Sequence, residues 1–268
     1  MSNMFATVPG QLRALLLAAT LAFATAAAPL PRVELWRLDC GTFVTKGLVN
    51  SCYLIRHGDR LMLWDTGFGG ELVGQPPAAE TRSVLVRKSL VSQLAELGLK
   101  PEQVEIVALS HLHWDHIGQA ASFPKARLLI GREDWEALTA TLPDSHLEPF
   151  RLAPWINGAA PKDPVTGDRD IFGDGSVVMI ATPGHTAGHH ALLVRLRHTG
   201  AVLLTGDLYY SAAQAAQKLI PKGNADAGET MASFRRFDAL ATAQKAVVII
   251  QHEPGDVAKL PLFPKGAE

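Results

Sequence analysis

Three histidines and an aspartate fall within six residues, in Ser110-His111-Leu112-His113-Trp114-Asp115-His116-Ile117-Gly118. Imidazole nitrogens and a carboxylate packed this densely suit zinc or another divalent first-row metal. The cluster follows Val104-Glu105-Ile106-Val107-Ala108-Leu109, an apolar, β-branched run that reads as a buried strand. Alternation along an extended segment puts His111 and His113 on one face. A turn after His113 would bring Asp115 and His116 round to a neighbouring position. Three more metal-type residues each follow an apolar run. His185 closes Thr182-Pro183-Gly184-His185 after Ser176–Ala181, Asp207 follows Ala201–Thr205, and His252 follows Ala246–Ile250. Loops at strand ends are where a rigid sheet presents functional groups. Asp65, at the end of Leu61–Trp64, reads either as a turn-former or as a carboxylate that orients a metal-bound imidazole. His189 and His190 open a strand rather than close a turn. His189 is expected to support the site and His190 to take no part.

The elements that must position these residues are legible in outline. Val33–Leu38 alternates as a half-buried strand, and Ser51–Arg56 and Leu61–Trp64 form two more around the turn His57-Gly58-Asp59. Gly69–Thr81 is Gly- and Pro-rich, hence a loop. Val84–Leu97 places Leu90, Val91, Leu94 and Leu97 at helical spacing, with Gly98 as its C′ residue. Ala126–Ile130 reads as a strand and Arg132–Thr139 as a helix with Glu133 and Asp134 in its first turn. Leu142–Gly175 holds five prolines among Phe150, Trp155 and Ile156. It reads as a long loop without regular structure, either a rim of the site or a surface excursion. Ala191–Leu196 and Ala201–Thr205 make a hairpin around Thr199-Gly200. Glu229–Thr242 is a helix, and Ala246–Ile250 the last strand.

Length and composition bound the rest. The 268 residues are 47% hydrophobic and 19% charged, which gives ample core for one large domain. A net charge of -1 without a basic run gives a nucleic-acid partner no electrostatic support. Ala14–Ala28 reads ALLLAATLAFATAAA, and Ala26-Ala27-Ala28 before Pro29 offers a cleavage site. The run is shorter than the roughly 20 residues of a membrane span. The expectation is a signal peptide over 1–28 and a single domain over 29–268. The mature protein would be periplasmic or secreted, with no stable membrane anchor after cleavage. The two cysteines, Cys40 and Cys52, lie on consecutive strand-like segments. They make either a cross-strand disulfide or two buried thiols.

Taken together, His111-x-His113-x-Asp115-His116, His185, Asp207 and His252 resemble the metallo-β-lactamase superfamily, over nearly everything from Val33 to His252. The resemblance implies an α/β fold, a four-layer αβ/βα sandwich with two divalent metal ions, Zn2+ first among them, at one edge of its sheets. It also implies the allocation: His111, His113 and His185 hold one ion, Asp115, His116 and His252 the other, and Asp207 bridges. It takes His185 ahead of His189 and His190. Within the superfamily the chain is most similar to the N-acyl-homoserine lactonases. That likeness rests on the stretches Ser110–Gly118, Thr182–His189 and Leu204–Asp207, and on Tyr210 three residues after Asp207.

The implied chemistry is hydrolysis of a lactone or related ester, a quorum-quenching activity on a small-molecule substrate. Two ions about 3.5–4 Å apart hold a bridging hydroxide that attacks the carbonyl. Tyr210 reads either as a donor to the developing oxyanion or as a packing aromatic. Asp115 or a metal-bound water would protonate the leaving alkoxide. Class B1 β-lactamases carry a cysteine where Asp207 stands, and a non-catalytic metal module would lack a ligand. A secreted organophosphate hydrolase of the methyl-parathion type is the main alternative, and a glyoxalase II-like thioesterase the second.

Overall fold

The structure, a computed structural model, describes Met1 and residues 32–77 and 83–268. Residues 2–28 of the expected signal peptide, with the cleavage site at Ala26-Ala27-Ala28, lie outside the described residues, as do residues 78–81 of the Gly/Pro-rich loop.

Among the described residues, twelve strands form two sheets. They are β1 (Val33–Phe43), β2 (Leu48–His57), β3 (Arg60–Trp64), β4 (Val84–Leu85), β5 (Val104–Ala108), β6 (Arg127–Gly131), β7 (Lys162–Val165), β8 (Arg169–Asp170), β9 (Val177–Ala181), β10 (His190–Leu196), β11 (Gly200–Leu204) and β12 (Val247–Ile249). The larger sheet has the order β4-β1-β2-β3-β5-β6-β7 and the smaller β12-β11-β10-β9-β8. The described residues also form six α-helices: α1 (Leu90–Glu96), α2 (Trp114–Ile117), α3 (Arg132–Leu138), α4 (Ala153–Ile156), α5 (Ala212–Gln217) and α6 (Ala227–Gln244).

The side-chain period of two builds four layers from these pieces. Leu35, Tyr53, Ile55, Met62 and Trp64 of the larger sheet meet Met179, Leu192, Val194, Val202 and Leu204 of the smaller in the inner core. Their strand neighbours Trp36, Leu38, Leu54, Leu61 and Leu63 point outward, against Leu90 and Leu94 of α1, Leu138 of α3 and Trp155 of α4. On the far side Leu193 and Leu203 pack against Phe234 and Phe237 of α6. With both faces covered, the strands read as near-continuous apolar runs. The architecture is the α/β sandwich that the family resemblance implied.

Strand direction then decides where the loops go. β3 and β5 are parallel, so Asp65 and the histidine cluster emerge at the same end. β11 is parallel to β12, and antiparallel pairing through β10 makes β9 run with them. His185, Asp207 and His252 therefore also emerge together.

Several expectations need correction. Val84–Leu97 is not one helix. Val84 pairs with Phe43 as an edge strand, and the helix begins only where Ser89 caps it, its hydroxyl accepting from Ser92 N at 3.0 Å. Two alternating β-branched residues, Val84 and Val86, won over the helical spacing further on. Leu142–Gly175 is not structureless. It contains a 3-10 turn over Pro149–Leu152, then α4, β7 and β8. Pro164 is tolerated because β7 is an edge strand. Trp155 of this stretch is buried in the core, where its indole donates to Ala126 O. Helix α5 was not anticipated. Cys40 and Cys52 are disulfide-bonded, Cys40 sitting at the irregularity where the β1–β2 register shifts between Asp39 and Gly41.

Candidate metal centre

His111 follows β5, and His113 caps the short helix α2, which turns Asp115 and His116 back toward it. Thr182–Thr186 delivers His185 from β9, the turn at Gly206 delivers Asp207 from β11, and Gln251 and His252 follow β12. Gly206 has φ +52, and a Cβ there would lie 2.7 Å from His189 Nε2, so the turn needs glycine. Asp65 itself holds φ 58, a left-handed conformation uncommon for a side chain of this type.

The structure brings all seven expected ligands together, and nearly all are buried. His111 Nε2, His113 Nδ1 and His185 Nε2 lie 2.9–3.1 Å from one another. Asp115, His116 and His252 form a second group that could hold an ion. Asp207 faces both: Oδ1 is 3.2 Å from His116 Nε2 and 3.0 Å from His252 Nε2, while Oδ2 is 3.6 Å from His185 Nε2.

Hydrogen bonds on the far sides of the rings assign the tautomers. Asn224 donates through Nδ2 to Thr230 Oγ1 at 3.0 Å, so its Oδ1 faces His185 Nδ1 at 3.1 Å as an acceptor. His185 Nδ1 therefore carries the proton, and the Nε2 lone pair points at the other two imidazoles. His252 Nδ1 donates to Val49 O at 2.9 Å, and His116 Nδ1 donates to Asp65 Oδ2 at 2.9 Å. Their Nε2 lone pairs face carboxylate oxygens. His116 Nε2 and Asp207 Oδ1 are buried with no hydrogen-bond partner among the described residues. Lone pairs converging on lone pairs, with orphaned acceptors between them, is the donor set of a cation site. The seven residues fit two divalent ions.

Electrostatics agree. Burial lowers the pKa of His113 to about 4, with His185 next in effect, and lowers those of His111 and His185. That triad is neutral and ready to ligate. Burial also opposes charge on His116 and His252, but neighbouring carboxylates, Asp207 first, outweigh it and raise both pKa values. Burial works against an ionised Asp207, and His252 and His116 reverse that, holding it well below the usual carboxylate range. This half of the site calls for positive charge.

Asp65 emerges as an orienting carboxylate: it also accepts from Ser110 N at 2.7 Å and Ser110 Oγ at 2.9 Å, and that hydroxyl lies 3.0 Å from His111 Nδ1. His189 is spent on structure. Its Nε2 accepts from Asp207 N at 2.9 Å, and its Nδ1 lies 3.1 Å from Thr182 O. Both nitrogens of His190 face backbone carbonyls, away from the ligands. Ser110, Asn224, Asn50 and Asp134 were not singled out from sequence as site residues. Each is a common polar type in a loop, strand or helix turn, and only its contacts reveal it.

A cavity of about 520 Å³ opens on the ligands, lined by Phe43, Leu48, Trp114 and Tyr210 and by the polar side chains of Lys46 and His146. His146 is the one contribution of Leu142–Gly175 to that lining. Phe150 is solvent-exposed instead. The Tyr210 hydroxyl lies 3.1 Å from His185 Nδ1. That nitrogen's one hydrogen is shared between Asn224 Oδ1 and the hydroxyl, so the hydroxyl can only accept there and keeps its own hydrogen for a partner in the cavity. Burial, then Asp207 and Asp115, push the Tyr210 pKa upward, so the phenol stays protonated. A separate cleft beside Arg32, Arg195, Arg197 and Glu268 shares no residue with this site.

Comparison with known proteins follows the same lines. The chain is 32% identical over 172 residues to the N-acyl homoserine lactonase AttM of Agrobacterium fabrum, covering 61% of this chain and 64% of that one. The chain thus spans under two thirds of the AttM proteins it matches. It is 27% identical over 249 residues to an N-acyl homoserine lactonase of Bacillus cereus, covering 88% and 96%. In structure it is similar to Bacillus thuringiensis AiiA with N-decanoyl-L-homoserine bound, with a TM-score of 0.74 at 21% identity, covering 89% of this chain and 100% of that one. AidC, a dizinc quorum-quenching lactonase, aligns with a TM-score of 0.62 at 18% identity, covering 89% and 90%. Residues 45–252, from the cavity mouth through the last histidine ligand, match the family model for this fold, and the chain belongs to the metallo-β-lactamase superfamily.

Proposed function

We propose that this protein is a dinuclear metal-dependent hydrolase that opens lactone rings, N-acyl-homoserine lactones foremost, with Zn2+ as its resident ion. One observation carries the reading beyond the family: Tyr210 presents a protonated hydroxyl to the cavity, held by His185 Nδ1 at 3.1 Å, beside the ligand cluster. The names of the relatives support it.

A pair of divalent ions bound by the seven ligands would supply the activated water and polarise the carbonyl. The chain's own residues do the rest. Phe43, Leu48 and Trp114 offer apolar surface for an acyl chain, and Lys46 and His146 give the cavity mouth a polar side. Tyr210 donates a hydrogen bond where negative charge develops on the carbonyl oxygen. Asp115, its carboxylate 3.6 Å from His252 Nε2 and lining the cavity, is placed to take the proton released as water adds to the carbonyl and to pass it to the leaving alkoxide. We further propose that the protein is exported to the periplasm or beyond. The Cys40–Cys52 disulfide supports an oxidising compartment.

The test is a substrate panel on the zinc-loaded protein: an N-acyl-homoserine lactone, an aryl ester, a phosphotriester, a thioester and a β-lactam. The lactone should give the highest kcat/KM. A phosphotriester turned over faster would transfer the reading to an organophosphate hydrolase, and a thioester to a glyoxalase II-like enzyme.

A further inference from the structure

The ligands sit on loops, and ligand spacing survives only if something fixes those loops. Besides Asp65, which holds Ser110 and His116, two buried polar side chains outside the ligand set do this, and they divide the ligand loops between them. Asp134, 1% exposed in the first turn of α3, accepts three hydrogen bonds. Oδ2 accepts from Leu112 N at 3.0 Å and Thr186 Oγ1 at 2.8 Å, and Oδ1 accepts from Gly188 N at 2.8 Å. Leu112 lies between His111 and His113, and Thr186 follows His185. One carboxylate thus ties the two loops that carry the three-histidine group. The approach is close: a Cβ on Gly188 would lie 2.6 Å from Asp134 N, and one on Gly131 would lie 1.9 Å from Gly188 O.

Asn50, fully buried at the site end of β2, serves the other group. Its Nδ2 donates to Asp115 O at 2.7 Å, and its Oδ1 accepts from Gln251 Nε2 at 3.0 Å. Gln251 precedes His252, whose Nδ1 donates to Val49 O, the residue before Asn50. The backbone of Asp115 and the loop of His252 are therefore both pinned to the first residues of β2.

We propose that Asp134 and Asn50 are positioning residues, each setting the ligand spacing of one metal subsite: Asp134 that of His111, His113 and His185, and Asn50 that of Asp115, His116 and His252. The separation follows from reach, since no bond of Asp134 touches the residues that Asn50 holds. A carboxylate with three donors holds its loops strongly, because charge-assisted bonds are about twice as strong as neutral ones. Groups that orient ligands from outside the coordination sphere typically set metal affinity by about 10–100-fold.

The proposal rests on the two-metal reading, and one experiment separates the two. Wild type, Asp134→Asn and Asn50→Asp are stripped of metal, checked for folding by circular dichroism, and titrated with Zn2+ against a chromophoric chelator. Imidazole 15N signals report which histidines each ion touches. D134N turns a carboxylate oxygen into a donor facing a donor. It should weaken by about 10–100-fold only the ion read at His111, His113 and His185. N50D sets an oxygen against Asp115 O and should weaken only the ion read at His116 and His252. A wild type that binds one ion defeats the two-metal reading. A wild type that binds two, with variants that weaken both alike or neither, overturns this proposal alone. If D134N does not fold, Thr186→Val removes a single hydroxyl and should show the same selectivity at smaller size. Asn50→Ser serves likewise for N50D, and equal weakening of both ions in these milder variants overturns the proposal just as well.

Discussion

Asp207 and Tyr210 stand three residues apart and should fail in different ways. Asp207 presents one carboxylate oxygen to each histidine group. Asp207→Asn removes the charge that offsets both ions, so bound metal should fall and activity collapse on every substrate, read by metal analysis alongside turnover. Tyr210→Phe deletes one hydroxyl and keeps the ring that packs at 5.5 Å from His185. Its metal content should match wild type while kcat/KM for lactones falls by about 100-fold or more, the scale of a lost oxyanion donor. Full lactone activity in Y210F would leave Tyr210 a packing residue. The pH profile adds a check. The folded-state pKa of Tyr210 is raised above the ordinary 10, so the donor form persists throughout the neutral and mildly alkaline range. An alkaline loss of activity below pH 10 that vanishes in Y210F would contradict that assignment.

The β1–β2 pair is the element most exposed to test. Its disulfide closes a loop of sequence separation 12 directly behind the Asp65–Gly67 turn, where a Cβ on Gly67 would come 2.5 Å from Cys40 Cβ. A cross-link over a loop of this length contributes about 3 kcal/mol by the chain-entropy account. Cys40→Ala/Cys52→Ala should therefore unfold at lower temperature and lower denaturant concentration than the oxidised wild type. The folded fraction should keep its metal, because neither cysteine belongs to the ligand groups. Coincident melting curves for the oxidised and reduced protein would show that this link adds nothing.

At the scale of the molecule, two predictions concern content and location. Seven convergent ligands exceed what one tetrahedral ion accepts, so the purified protein should hold close to two metal ions per chain. A stoichiometry fixed at one under metal excess would remove the dinuclear assignment. Export predicts a mature N-terminus near Pro29, readable by N-terminal sequencing of periplasmic material; an intact Met1 in the cytoplasmic fraction would refute it. Among the described residues no helix is long and apolar enough to cross a membrane.

The ligand types, their order and their position after apolar runs were legible in the sequence, because metal chemistry restricts donors to a few residue types and strands buried on both faces leave continuous apolar stretches. The resemblance to a known superfamily rested on those same residues and carried the fold with it. Local competition was less legible. Val84–Leu97 split into strand and helix because pairing with Phe43 is a contact 41 residues distant, invisible to a local period. Leu142–Gly175 found regular structure at a sheet edge that had to exist first. Tertiary structure alone decided between the open readings. It bonded Cys40 to Cys52 through the β1–β2 register, turned Asp65 from a possible turn-former into the partner of His116, and gave Tyr210 a nitrogen to lean on. Asp134 and Asn50 show the limit most clearly. Their importance lies in which loops they join, and hydrogen bonds between residues 54 and 201 positions apart are set by the packing of the two sheets, not by anything adjacent in the chain.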